Sequence, residues 1–228
     1  NSIENNFSEF SRKARTKGSK ELTLVYSFDI DSKEPVAMKT YPGNMLDSRS
    51  IDDFLTSFDV KNGLIVMDKG FYTKANIEKF KVKNALSYII PLRNSARVLK
   101  DLNIFGKINK PLKKYDEPVL YYKTQTDNNT YLYAYKNLKF EYEQKLGYLI
   151  SNEKRDTFDE QKYLDREEQF GTIVLESNID LTPLEVYLAY SKRWEIETMF
   201  KMMKEIISLD TVNVHSDYSV IATEFINY

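Results

Sequence analysis

Hydrophobic and polar positions alternate with a period of two near the start of the chain, which predicts β-strands there. In ELTLVYSFDI (21–30), every second residue from Leu22 to Phe28 is hydrophobic, and a similar segment follows the turn DSKE. Residues 21–43 are therefore predicted to form a β-hairpin. GLIVMD (63–68) is instead a continuous apolar run that ends in Asp68, the pattern of a buried strand in a mixed sheet.

Further strands and helices are predicted by the same criteria along the rest of the chain. The predicted strands lie at 85–92 and 171–178, with a hairpin at 118–137 that turns at Asp127–Asn129; the predicted helices lie at 50–58, 73–83, 139–154 and 159–170.

The segment from 182 to 207 predicts one continuous helix. Thr182, Pro183 and Glu185 match an N-cap, a proline at the first helical position and a capping-box glutamate. At about 100° per residue, a polar stripe lies opposite an apolar face. The stripe contains Tyr190, Arg193, Glu197, Lys201 and Lys204, and the apolar face contains Leu188, Met199, Met203 and Ile206.

The order of these elements predicts an α/β fold, a mixed sheet flanked by helices. Between residues 94 and 170 the chain contains the predicted hairpin followed by charged, helix-prone segments. We interpret this stretch as an inserted β-containing subdomain. The predicted divisions are therefore 1–93 as the first part of the core, 94–170 as the insertion, and 171–228 as the second part of the core.

Composition restricts the chemistry that this chain can perform. It has 228 residues, no cysteine and one histidine, and its net charge is −1. Thiolate sites, disulfides and histidine-based triads are thereby excluded or strongly disfavoured. A metal site would have to use carboxylate and carbonyl oxygens, which suit Mg²⁺ or Mn²⁺. The sequence contains no apolar run of about 18 residues, so no transmembrane helix is predicted.

Two carboxylates are candidate metal ligands. Asp68 ends a predicted strand, and Glu197 lies on the helix predicted to pack against the same sheet. Two-metal phosphodiester chemistry needs such acidic ligands, and neighbouring cations suit DNA phosphates. The alternative is structural: Asp68 is a turn residue, and Arg193 with Glu197 is an ordinary i,i+4 ion pair. If the site binds metal, Arg193 and Lys204 should point away from Glu197.

Tyr190-x2-Arg193-x3-Glu197-x6-Lys204 resembles the Y-R-E-K signature of DDE transposases of the insertion-sequence (IS-four) type. VMDKGF (66–71) resembles the segment with that family's second catalytic aspartate, and YPGNMLD (41–47) and GTIVLESN (171–178) resemble other segments of the family.

The resemblance implies a ribonuclease-H-like core that cuts and joins DNA with two Mg²⁺ or Mn²⁺ ions. It implies that Asp68 and Glu197 are catalytic metal ligands and that Tyr190, Arg193 and Lys204 contact DNA. It further implies transposon ends and target DNA as partners, a homodimer on DNA, no membrane association, and a bacterial cytoplasmic location at the nucleoid.

One departure from the family concerns its first catalytic aspartate. Asp29 and Asp31 are predicted to be hairpin-turn residues, and no earlier aspartate exists. We therefore expect the first strand and its aspartate to lie upstream of Asn1. Two alternatives follow: a decayed, non-catalytic DNA-binding or assembly module of transposase origin, and an unrelated ribonuclease-H-like nuclease, which the Y-R-E-K spacing disfavours.

Overall fold

The computed structural model describes most of the chain between residues 9 and 201. The described residues are 9–10, 20–29, 31–32, 34–45, 47–59, 63–71, 73, 77–78, 86–113, 116–155, 158–193, 195, 197–198 and 201. The chain divides into two compact units, Asn1–Lys61 with Lys192–Tyr228, and Asn62–Ser191. Of the predicted helix at 73–83, only residues 73, 77 and 78 are described, with helical backbone at Ile77 and Glu78. The signature residue Lys204 lies outside the described residues.

Among its described residues, the first unit contains a three-stranded antiparallel sheet, a helix that follows the sheet, and further helical backbone after Lys192. Its strands are β1 (Glu9–Phe10), β2 (Lys20–Asp29) and β3 (Glu34–Pro42), in that order across the sheet, and its helix is α1 (Asp47–Ser57). The predicted hairpin is therefore confirmed. Asp53 ties α1 to β3, since its Oδ2 accepts hydrogen bonds from Lys39 Nζ at 2.7 Å and from Tyr41 Oη at 2.9 Å.

The second unit contains a six-stranded mixed sheet in the order β4-β5-β9-β8-β7-β6. Its strands are β4 (Leu64–Val66), β5 (Ser87–Pro91), β6 (Lys110–Pro111), β7 (Val119–Gln125), β8 (Tyr131–Asn137) and β9 (Thr172–Ser177). Only β4 and β5 are parallel, and the other neighbours are antiparallel. Its helices are α2 (Arg97–Asp101), α3 (Leu138–Glu153), α4 (Glu160–Glu167) and α5 (Pro183–Ser191).

Hydrophobic side chains cover both faces of the six-stranded sheet. Successive residues of a strand point to opposite faces, so Tyr133 and Leu175 join one cluster while Ala134 and Val174 join the other. Helix α5 packs on the first face, and Leu99 of α2 is buried in the second cluster. Buried on both faces, the central strands fix the positions of the loops at their ends.

Strand pairing differs from the predicted single sheet. The hairpin β2–β3 was expected beside 63–68 and 172–176, but the described strands form two sheets. Both edges of β9 are already occupied, by β5 and by β8. A period-two pattern identifies a strand but not its neighbour, which is why the sequence did not reveal this arrangement.

The predicted insertion at 94–170 contributes strands to the same sheet as β5 and β9, since β8 pairs with β9 from Tyr131↔Ser177 to Lys136↔Thr172. The assignment of these residues as an insertion stays a prediction. In the described part of the chain, no helix is both long enough and apolar enough to cross a membrane.

Candidate active site

Asp68 follows β4 and is exposed to solvent. The β4–β5 ladder continues past the strand, because Met67 donates its backbone N–H to Ile89 O at 3.1 Å. Asp68 Oδ1 then accepts the backbone N–H of Lys69 at 2.7 Å, where a short 3₁₀ turn begins. This bond restrains a carboxylate at the end of a strand held by the sheet.

The strand before Asp68 was predicted to be buried, but β4 is exposed at its first residue and half-buried at the next two. Leu64 is exposed and Val66 is half-buried, whereas Met67 is buried. Among the described strands β4 has a single neighbour, β5, so one side of the strand is not covered by the sheet.

Helix α5 begins with the predicted capping box. Glu185 Oε2 accepts the backbone N–H of Thr182 at 2.8 Å, and Thr182 Oγ1 accepts the backbone N–H of Glu185 at 3.3 Å. The hydrogen bond from the Thr182 N–H is the main cause of a lowered pKa for Glu185. The sequence thus located the start of this helix correctly.

The face of α5 that packs on the sheet is not the one predicted. Tyr190 is half-buried against the cluster that also contacts Val66, whereas Leu188 is 41% exposed. The reason is the buried Val186, four residues before Tyr190 and one helical turn away. The signature tyrosine and the strand leading to Asp68 therefore pack on the same hydrophobic cluster.

The helical segment after α5 carries the signature residues Arg193 and Glu197. Lys192 is in a turn, and helical backbone is present at Arg193, Glu195, Glu197, Thr198 and Lys201. The predicted continuous helix is thus confirmed for 183–191 and interrupted at Lys192, and residues 202–207 lie outside the described part. Lys192 Nζ lies 2.7 Å from Asp31 Oδ1, and this partner raises the pKa of Lys192.

Arg193 and Glu197 form a close ion pair. Arg193 Nη1 lies 2.6 Å from Glu197 Oε1, and the side chains are 22% and 43% exposed. The expectation that Arg193 points away from Glu197 is therefore wrong. Opposite charges at i and i+4 are neighbours on a helix and attract each other, so they pair as the structural alternative predicted.

The early aspartates lie at the hairpin turn, as predicted: Asp29 is the last residue of β2 and caps the turn with its side chain, and Asp31 lies in the turn. Asp29 Oδ1 accepts the backbone N–H groups of Asp31 at 2.8 Å and Ser32 at 3.1 Å. These bonds, the one from Ser32 first, lower the pKa of Asp29.

The sequence analysis did not identify one buried carboxylate. Glu176 lies on β9, and its Oε1 accepts a hydrogen bond from the hydroxyl of Tyr88 on β5 at 2.8 Å. Both residues are buried. The available signal was a charged residue within the apolar strand TIVLES.

Asn178 braces the same pair of strands beyond the end of β9. Its Oδ1 accepts the Tyr88 N–H at 2.9 Å and its Nδ2 donates to Leu86 O at 3.0 Å. The side-chain amide thereby makes backbone hydrogen bonds like those of a paired strand residue. These bonds hold the start of β5, the strand beside β4.

The oxygen chemistry of Asp68 and Glu197 suits Mg²⁺ or Mn²⁺. Asp68 belongs to the second compact unit and Glu197 to the first. Among the described residues, no three acidic or histidine side chains cluster closely enough to hold a metal ion.

The family model for the transposase DDE domain matches residues 8–220. The chain belongs to this family. The mixed α/β architecture of this DDE transposase agrees with the ribonuclease-H-like fold predicted from its sequence. No curated protein and no solved structure matches the chain significantly. Membership implies that the protein acts on DNA, in cleavage and transposition.

Proposed function

We propose that this chain is the catalytic core of an IS-four-type transposase, which cuts DNA at the ends of a mobile element and transfers the ends to target DNA. The observation that carries this proposal is the family match together with Tyr190, Arg193, Glu197 and Lys204 at the spacing of the family's signature. The proposed partners are transposon-end and target DNA, bound by a homodimer in the bacterial cytoplasm.

Asp68 and Glu197 are the proposed catalytic carboxylates. Each offers oxygen donors to Mg²⁺ or Mn²⁺, and the Lys69 N–H restrains the Asp68 carboxylate before any metal binds. Bound divalent ions would activate the attacking oxygen and stabilise the leaving oxygen of the phosphodiester. We propose no metal ligand within this chain besides Asp68 and Glu197.

Arg193 has two possible anionic partners in this proposal, the Glu197 carboxylate and a DNA phosphate. An arginine can pair with either through its planar donors. We propose that Arg193 neutralises Glu197 when the site is empty and turns to phosphate when DNA and metal bind. Lys204 is proposed as a second phosphate contact, and Tyr190 as a contact to the DNA backbone near the cleaved end.

A strand-transfer assay with the full-length protein tests the reaction class. The substrate is DNA carrying the element's own ends, with Mg²⁺, with Mn²⁺, or with a chelator. The proposal predicts cut and joined products with either metal and none with the chelator. Binding to the ends without any product under these conditions would support the decayed, non-catalytic module instead.

A further inference from the structure

Most surface helices pack an apolar side on the protein. Helix α3 instead turns charged residues toward the protein. Glu141 and Lys145 are half-buried, and Lys145 Nζ lies 3.1 Å from Glu141 Oε1 and 3.3 Å from Glu167 Oε1 of α4. On the same side, the ring of Tyr148 packs against that of Tyr163, with centroids 5.9 Å apart.

An exposed apolar stripe runs along an adjacent side of α3. Its members recur at intervals of three and four residues, which places them along one side of a helix. They are Leu138, Tyr142, Leu146, Leu149 and Ile150, with exposed fractions from 38% for Leu149 to 68% for Tyr142. The stripe runs for about 18 Å at the 1.5 Å rise of a helical residue. Large exposed apolar patches of soluble proteins are often interaction sites, which makes this stripe a candidate for one.

Two exposed residues of opposite charge lie near the two ends of the stripe. Lys139 lies one turn before Glu143 near the start of α3, and Glu153 ends the helix. Lys139 and Glu153 are each seven residues from Leu146, so all three lie on nearly the same side of the helix. Among the described residues, neither Lys139 nor Glu153 has an ion-pair partner within the chain.

We propose that the apolar stripe of α3 binds the same stripe of a second copy of this chain, with the two helices antiparallel about a two-fold axis near Leu146. In this arrangement Lys139 of each copy meets Glu153 of the other, so both ends of the stripe are electrostatically matched. A parallel arrangement would place lysine against lysine and glutamate against glutamate. A two-fold interface uses one self-complementary patch, which this charge pattern provides.

The inference rests on the proposed homodimer and assigns it a surface. Sedimentation equilibrium of the 228-residue chain, without DNA or metal, tests it independently of the DNA chemistry. The wild type should dimerise, and Leu146→Glu should be monomeric at every concentration measured. Phe140→Gln is the matched control, because Phe140 is 48% exposed on a different side of the same helix. It should dimerise like the wild type.

Charge variants test the antiparallel direction. Lys139→Glu alone and Glu153→Lys alone should each raise the dissociation constant about tenfold, since each creates two like-charge contacts per dimer. The double variant Lys139→Glu/Glu153→Lys should restore wild-type dimerisation. A monomeric wild type, or a Leu146→Glu variant that still dimerises with a native circular dichroism spectrum, would overturn the proposal. Unchanged single charge variants would overturn the antiparallel arrangement.

Discussion

The guanidinium of Arg193 lies 2.6 Å from the carboxylate of Glu197, so the proposed metal ligand is already paired with a cation. A divalent ion must compete with this arginine for the carboxylate oxygens. Arg193→Ala should therefore tighten Mn²⁺ binding about two- to fivefold, the scale of a helical ion pair that is partly shielded from water. Calorimetric titration with Mn²⁺ measures the change.

The control for this titration is Arg97→Ala. Arg97 forms the same kind of i,i+4 pair with Asp101 on α2, at 3.3 Å, yet has no proposed role in metal binding. Its removal should leave Mn²⁺ affinity unchanged. Weaker Mn²⁺ binding in Arg193→Ala would mean that the arginine supports the site and does not compete with the ion.

Arg193 and Lys204 should contribute to DNA affinity through phosphate contacts. Replacing either by alanine should weaken binding to all DNA sequences and lower the slope of log K against log salt by roughly one unit, because one fewer counterion is released. Fluorescence anisotropy across a salt series measures the slope, with Arg97→Ala as the control. A slope equal to that of the wild type would remove the residue from the proposed DNA surface.

Gly171 should be essential to the stability of the second unit. Its φ of +68° is in the left-handed region, and a Cβ there would lie 2.5 Å from Glu141 N and 2.6 Å from Asn137 O. Gly171→Ala should lower the free energy of unfolding by about 2 kcal/mol or more. Gly147→Ala is the control in α3, since a Cβ there meets nothing within 4 Å, and it should stabilise by up to about 1 kcal/mol. Equal melting temperatures for the two variants would contradict this account.

Tyr187 should make stability fall at high pH. Burial, followed by the hydrogen bond to Glu117, raises the pKa of Tyr187 from 10.0 to about 12. Because the folded pKa exceeds the unfolded one, the contribution is fully present below pH 10 and is lost as pH rises from 10 to 12. Urea titrations over this range should show a smaller loss in Tyr187→Phe. An identical decline in both proteins would assign the effect to other groups.

The sequence predicted individual elements better than their arrangement. The capping box of Thr182 and Glu185 and the turn at Asp29 were predictable, because each depends on hydrogen bonds within about four residues. The pairing of β8 with β9 was not, since strand neighbours are selected by contacts distant in the chain. The buried face of α5 was misassigned because Tyr190 was counted as polar, although its ring packs on the hydrophobic cluster.

The candidate site shows the same division. Asp68 was correctly placed after a strand, because an apolar run ending in a carboxylate is a local pattern. The ion pair of Arg193 with Glu197 was available from their spacing and was weighed as the structural alternative. The functional assignment of both carboxylates stays a prediction, since it depends on groups that no local pattern brings together.

Cleavage of transposon-end DNA by carboxylate variants of the full-length protein tests the central claim most directly. Asp68→Asn and Glu197→Gln remove a negative charge with little change of shape, so each should abolish Mg²⁺-dependent cleavage while DNA binding stays within about twofold of wild type. Glu195→Gln, an exposed carboxylate on the same helical segment, should cleave normally. Cleavage by Glu197→Gln at the wild-type rate would contradict the account. Glu197 would then serve only as the partner of Arg193 in an ordinary helical ion pair.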